Sequence, residues 1–148
     1  MTASLHSAGP APDVVGRLQA LFQELRADNL ELLDNVYAAD VTFQDPLHRV
    51  EGLAELKAYF GRLYAAVESI RFDFETVVAA PEEAMLTWKM YMRHARLRSG
   101  EELALPGATH IRFAERVHYH RDYFDAGAML YERLPVLGTV IRAIRRRV

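Results

Sequence analysis

Apolar side chains recur at helical spacing near the start of the chain, where Val14, Leu18, Leu21, Phe22 and Leu25 form one stripe and Arg17, Gln19 and Glu24 lie off it. The pattern predicts an amphipathic helix with Asp13 as its cap. Asp28-Asn29 interrupts it and opens a second, shorter helix whose buried stripe is Leu30, Leu33, Val36 and Tyr37. Val41 and Phe43 then alternate with Thr42 and Gln44, the period of a strand with one buried face. Asp45-Pro46 ends that strand, because proline supplies no ladder N–H and holds the residue before it extended. A third helix is expected over 53–67, with Leu56, Tyr59, Phe60, Leu63 and Tyr64 on its core face.

Beyond Ser69 the period shortens to two. Ile70, Phe72 and Phe74 alternate with Arg71, Asp73 and Glu75, and Pro81-Glu82-Glu83 makes a turn. A long strand is expected over 84–97, with Leu86, Trp88, Met90 and Met92 on one face and Thr87, Lys89, Tyr91 and Arg93 on the other. After a turn at 98–101 comes a strand over 102–113, in which Pro106-Gly107 marks a bulge or an edge. The last strand is expected over 116–125. A tail follows with Leu130, Leu134, Leu137, Ile141 and Ile144 at helical steps, interrupted at Pro135. Helices followed by long antiparallel strands imply an α+β domain in which helices cover one face of a strongly curved sheet, a cone with a cavity at its open end. The expected divisions are a flexible arm over 1–12, the domain over 13–131, and a basic amphipathic helix over 132–148 that packs on the domain or on a partner.

A chain of 148 residues fits one domain. Hydrophobic residues at 51% and charged residues at 26% are ordinary for a globular protein, and no apolar run approaches a membrane span, so stable membrane insertion is not expected. Cysteine is absent, which excludes disulfides, thiolate metal sites and cysteine nucleophiles. A net charge of −2 gives no global reason to bind nucleic acid. The first residues lack the basic and apolar regions of a secretory leader, so a cytoplasmic location is expected. Neither a glycine-rich phosphate loop nor a Cys/His metal set is visible, and no cofactor is expected. Arg142, Arg145, Arg146 and Arg147 suit the C-terminus of a helix, or an anionic partner.

Two places carry groups that can do chemistry. Asp45 stands at a strand end beside a rigid turn, with His48 close behind; it either faces a cavity or caps the turn through its own side chain. In the last strand His118, His120, Asp122 and Phe124 share one face, with Val117, Tyr119, Arg121 and Tyr123 on the other. A neutral histidine beside a carboxylate makes an acid/base pair, here His120 with Asp122. Two carboxylates in apolar walls, Asp45 and Asp122, can also divide into one acid and one base. Alternatively the strand residues only satisfy one another across the sheet. His118, His120 and Asp122 on one strand face are three possible metal ligands, but a metal site is not expected, since residues two and four apart on a strand are about 7 and 14 Å away and all three cannot easily chelate one ion. Trp88, Met90 and Met92 make an apolar wall that, with Phe43, Phe60 and Phe124, suits a polycyclic or terpenoid ligand.

Two helices, then Tyr-Ala-x-Asp-Val-x-Phe-x-Asp-Pro over 37–46, a glycine opening the third helix, and four strands ending in Asp-Tyr-Phe-Asp form a pattern that resembles the nuclear transport factor 2-like superfamily. Within it the chain looks most like the ketosteroid isomerase and SnoaL-like polyketide cyclase branch, over about 13–131. The resemblance implies that Asp45 stands where the isomerases keep their base, and Tyr37 where they keep a hydrogen-bonding tyrosine behind the site. Their oxyanion-binding tyrosine falls on Leu21, with Phe22 beside it. Their second, protonated donor falls near Thr109, whose hydroxyl can give one hydrogen bond.

The resemblance also implies that His118, His120, Asp122 and Phe124 look into the cavity. Asp45, His120 and Asp122 are therefore the expected catalytic residues, and Tyr37, His48, Phe60, Trp88, Met90, Thr109, His118 and Phe124 the expected substrate contacts. It further implies a homodimer through the convex sheet face, where Lys89, Tyr91, Arg93, Tyr119 and Arg121 would lie. The expected function is binding of a small apolar molecule, polycyclic, polyketide, steroid or terpenoid-like, with cofactor-free isomerisation, cyclisation or dehydration. The alternative is a non-catalytic ligand-binding or protein-interaction module of the same fold.

Overall fold

The computed structural model describes residues 12–94, 100–131, 140 and 142–147. Helix α1 (Asp13–Glu24) buries Val14, Leu18 and Leu21 of the expected stripe and Val15 beside them; Phe22 is half-buried, and Leu25 is buried just past the helix end. Asp13 is not its cap; Pro12 precedes the helix and no side chain caps it. The Asp13 carboxylate accepts a hydrogen bond from Arg17 Nε at 2.9 Å, one turn on, and its charge sits where the first free N–H groups favour it. The Asn29 side chain closes the other end, accepting from Arg26 N–H and donating to the Glu24 carbonyl. The second helix is a single 3₁₀ stretch, Leu30–Asn35. It is too short to hold four stripe positions, so Val36 and Tyr37 pass into the strand that follows.

Strand β1 (Tyr37–Gln44) starts earlier than the 41–44 alternation implied, because its register with the last strand shifts between Tyr37 and Thr42 and hides the period. A turn at Asp45 leads to β2 (Arg49–Glu51), paired antiparallel with β1 through Phe43 and Val50. Gly52 then takes a φ of 88°, open to glycine at no steric cost, and turns the chain into α2 (Leu53–Ala66). This helix buries Leu56, Phe60 and Tyr64.

Four strands follow: β3 (Ser69–Ala79), β4 (Glu83–Arg93), β5 (Leu103–Phe113) and β6 (Val117–Phe124). The sheet is mixed and six-stranded, in the order β2-β1-β6-β5-β4-β3, with β1 parallel to β6 and the remaining neighbours antiparallel. Leu86, Trp88, Met90 and Met92 are buried as their alternation required, beneath α1 and α2. Pro106-Gly107 is not a bulge: both pair regularly with β4, but the ladder to β6 starts only at Gly107, so Pro106 lies at an edge. The outer face carries Arg71 over the Tyr91 ring and Arg112 over that of Tyr119.

The arm over 1–12, the turn at 98–101 and the apolar stripe of the tail fall wholly or largely outside the described residues. Of that stripe, Ile144 is exposed. Among the described residues no helix is long and apolar enough to cross a membrane.

Candidate functional site

Between α2 and the inner face of the sheet lies a cavity of about 450 Å³, lined by Phe22, Phe43, Phe60, Phe72, Trp88, Met90 and Phe124 among others. The π faces and alkyl groups come from alternate strand positions and from the buried side of the helices, so the patterns that build the core also build this wall. Phe60, Trp88, Met90 and Phe124 are thus where the sequence placed them, and Asp45, His48 and Asp122 reach the same space.

Tyr37, Thr109 and His120 do not line the cavity; they stand behind Asp122 as its support. Tyr37 Oη lies 2.8 Å from His120 Nδ1, and His120 Nε2 lies 2.7 Å from Asp122 Oδ1. On the other side Trp88 Nε1 donates to Thr109 Oγ1 at 2.8 Å, and Thr109 Oγ1 donates to the same Asp122 Oδ1 at 2.5 Å. Donor bookkeeping fixes the directions. An indole N–H can only donate, so Thr109 accepts it and turns its own proton to Asp122. A carboxylate can only accept, so His120 donates to it from Nε2, and in the neutral tautomer that leaves Nδ1 to accept the Tyr37 hydroxyl. Two lines of donors therefore end on one oxygen. Among the described residues no hydrogen bond reaches Asp122 Oδ2.

Asp45 is held differently. Its Oδ1 accepts the backbone N–H groups of Leu47 and His48, both at 2.8 Å, and its Oδ2 accepts the hydroxyl of Tyr59. It is 8% exposed, and both oxygens are engaged. The turn-capping reading of Asp45 is therefore realised, and the tyrosine from α2 completes it. His48 Nδ1 stands 3.7 Å from the same carboxylate at the cavity mouth.

His118 is the residue that the structure removes from the site. The register of β5 and β6 shifts between Arg112 and Phe113, so that Arg112 faces Tyr119 while Phe113 faces Val117, and His118 is the extra residue of a bulge. Below the bulge the alternation resets: Val117 and His120 are buried, and His118 is exposed in a groove with Pro81, Glu82 and Phe113. The face expected to hold His118, His120, Asp122 and Phe124 is thus split: His118 leaves it, and His120 and Asp122 stay in contact. Among the described residues no three His, Asp or Glu side chains gather as a metal site.

Tyr59 and Tyr64 are the cavity residues that helical periodicity assigned to the core. Burial raises the pKa of Tyr59 well above the ordinary tyrosine range, and its bond to Asp45 raises it further, so it stays a neutral donor. Burial raises Tyr64 and Tyr37 likewise, with the charge of Asp122 adding to both. The Tyr64 hydroxyl is buried without a hydrogen-bond partner among the described residues. The available signal was the choice of Tyr over Phe at two positions on a helix facing a strand-end carboxylate.

Comparison with known proteins agrees with this architecture. A protein of ketosteroid isomerase-like fold from Catenulispora acidiphila DSM 44928, in complex with trimethylamine, superposes with a TM-score of 0.70 at 19% identity, covering 81% of this chain and 91% of that one. A candidate SnoaL-like polyketide cyclase from Jannaschia sp. CCS1 gives 0.72 at 15% identity, over 84% and 94%. An epoxide hydrolase from M. tuberculosis, of the LEH-like kind, gives 0.67 at 14% identity, over 88% and 96%. These likenesses show the shared cone fold. No curated protein matches the sequence. The SnoaL-like domain matches residues 18–117, two thirds of the chain, ending before His120 and Asp122; the chain belongs to the SnoaL-like family.

Proposed function

We propose that this protein is an enzyme that moves a proton within a small apolar molecule held in the cone, in an isomerisation, cyclisation or dehydration, with Asp122 as the proton-transferring carboxylate. The observation that carries this reading is the asymmetry of Asp122: His120 and Thr109 both donate to Oδ1, no hydrogen bond among the described residues reaches Oδ2, and the side chain lines an apolar cavity of about 450 Å³. In this reading Oδ2 takes a proton from a carbon beside a carbonyl and returns it elsewhere on the same skeleton, so no external oxidant or reductant is needed. The His120 N–H and Thr109 O–H hold the carboxylate in one orientation, and Tyr37 holds the His120 tautomer. The aromatic walls keep water from competing for the base. Phe60, Trp88, Met90 and Phe124 serve as substrate contacts, with His48 at the mouth.

Asp45 takes the positioning role here, not the base role that the resemblance implied. Its oxygens fix the β1–β2 turn and the Tyr59 hydroxyl, which keeps the mouth of the cone in shape. A homodimer through the outer sheet face, where Arg71 and Arg112 lie over Tyr91 and Tyr119, is part of the same proposal. The test is α-proton exchange of the bicyclic ketone decalone in D2O, followed by NMR. Exchange catalysed by the wild-type chain and lost in Asp122→Asn supports the reading; exchange no faster than in buffer refutes it for this class.

A second reading has its own support. A free carboxylate oxygen among aromatic faces is also a receptor for a small organic ammonium ion, and the Catenulispora neighbour was crystallised with trimethylamine. Calorimetry with trimethylammonium tests it: binding that vanishes in Asp122→Asn would favour a ligand-binding module.

A further inference from the structure

The cavity mouth is built from the turn after β1, the C-terminal half of α2 and the end of β4. It carries the arginine of the lining, Arg62. Of the ionisable groups in the lining, Asp122 and Tyr64 lie inside, and Asp45 with Tyr59 stands at the turn that forms the mouth. At the rim stand Arg62, His48 and His94. Four of the described arginines on this domain are paired with carboxylates: Arg17 lies on Asp13, Arg49 on Glu51, Arg71 on Asp73 and Arg112 near Glu83. Arg62 is exposed and lines the cavity, and among the described residues it forms no hydrogen bond or ion pair. Its positive charge works against the rise in the Tyr59 pKa. The negative charge of Asp45 does not use it, being met by two backbone N–H groups and that hydroxyl.

We infer that the cone takes an amphipathic acid, an apolar skeleton carrying an anionic terminus, with the terminus held at the rim by Arg62 and His48 and the skeleton inside. This rests on the proposed reading of the cone as a substrate site and narrows its substrate class. The orientation follows from the charges: an anion beside Asp122 would face a carboxylate whose Oδ2 takes no hydrogen bond among the described residues, whereas at the rim, where Asp45 is already met by three donors, it meets a guanidinium fork able to bind a carboxylate with two hydrogen bonds. The apolar end is thereby delivered to Asp122 Oδ2, so Arg62 acts as a specificity residue and not as a catalytic one.

The test compares phenylbutyrate with phenylbutyramide, which match in shape and differ in charge, by calorimetry on the full chain at low ionic strength. An exposed charge pair predicts a preference for the acid of roughly three- to fivefold. Arg62→Gln removes that preference, raised salt weakens it, and Asp122→Asn keeps it. Loss in Arg62→Gln alone separates this inference from the assignment of the base, which decalone exchange reports independently. Equal affinity for acid and amide, a preference that survives Arg62→Gln, or no saturable binding of either probe overturns it.

Discussion

Gly107 and Trp88 face each other across β5 and β4, so close that a Cβ on residue 107 would lie 2.2 Å from the indole Cη2. The missing side chain is what lets the indole lie flat and aim its N–H at Thr109, and so support Asp122 from behind. Gly107→Ala is expected to force the ring aside at a cost of about 1–3 kcal/mol, measured by urea unfolding. Trp88 is the single tryptophan, so a changed emission maximum in the folded variant reports the same displacement.

The two carboxylates of the cavity are expected to respond in opposite ways. Asp45→Ala strands the N–H groups of Leu47 and His48 and the Tyr59 hydroxyl, and is expected to cost about 2–3 kcal/mol of stability. Asp122→Asn keeps an oxygen where Oδ1 accepts from His120 and Thr109, and is expected to unfold within about 1 kcal/mol of wild type. Chemical denaturation of the two variants side by side decides it.

Tyr64→Phe is expected to stabilise the ligand-free chain. Its hydroxyl is buried without a partner among the described residues, so removing it ends a desolvation penalty of about 1 kcal/mol and leaves the ring packed on Phe60. A rise in the urea midpoint confirms this; a fall means that the hydroxyl has a partner in solution.

Alkaline pH is expected to weaken the fold through its tyrosines. Tyr37, Tyr59 and Tyr64 have folded pKa values raised above the ordinary value near 10, chiefly by burial. The folded chain then keeps protons that the unfolded chain releases, so stability is full below about pH 10 and falls as pH rises beyond it. The limiting slope is about 1.4 kcal/mol per pH unit for each tyrosine. Unfolding midpoints taken from roughly pH 9 to 11 measure it, and Tyr37→Phe is expected to make the decline shallower.

The cone and most of its wall were legible in the sequence because their signals are periodic. Leu86, Trp88, Met90 and Met92 alternate without a break, and their strand pairs without a bulge on its β5 side. His118 was not legible, since one inserted residue in β6 leaves the polar and apolar alternation of the written sequence looking regular while it turns a side chain outward. Tyr59 was hidden for another reason: on a helix face it counts as apolar, and its hydroxyl gains meaning only when the β1–β2 turn brings Asp45 beside it. The Tyr37, His120, Asp122 and Thr109 chain joins β1, β5 and β6, a pairing that a list of strands does not specify. Nor did spacing say which carboxylate is free, because that depends on which donors reach each oxygen.

The most direct test of the central claim is the rate of decalone α-proton exchange in D2O catalysed by wild type, Asp122→Asn and Asp45→Asn at equal folded concentration. If Asp122 is the base, Asp122→Asn loses about a hundredfold or more of the exchange, while Asp45→Asn keeps most of it. Exchange that survives in Asp122→Asn and disappears in Asp45→Asn would contradict the account and return the base to the strand-end aspartate.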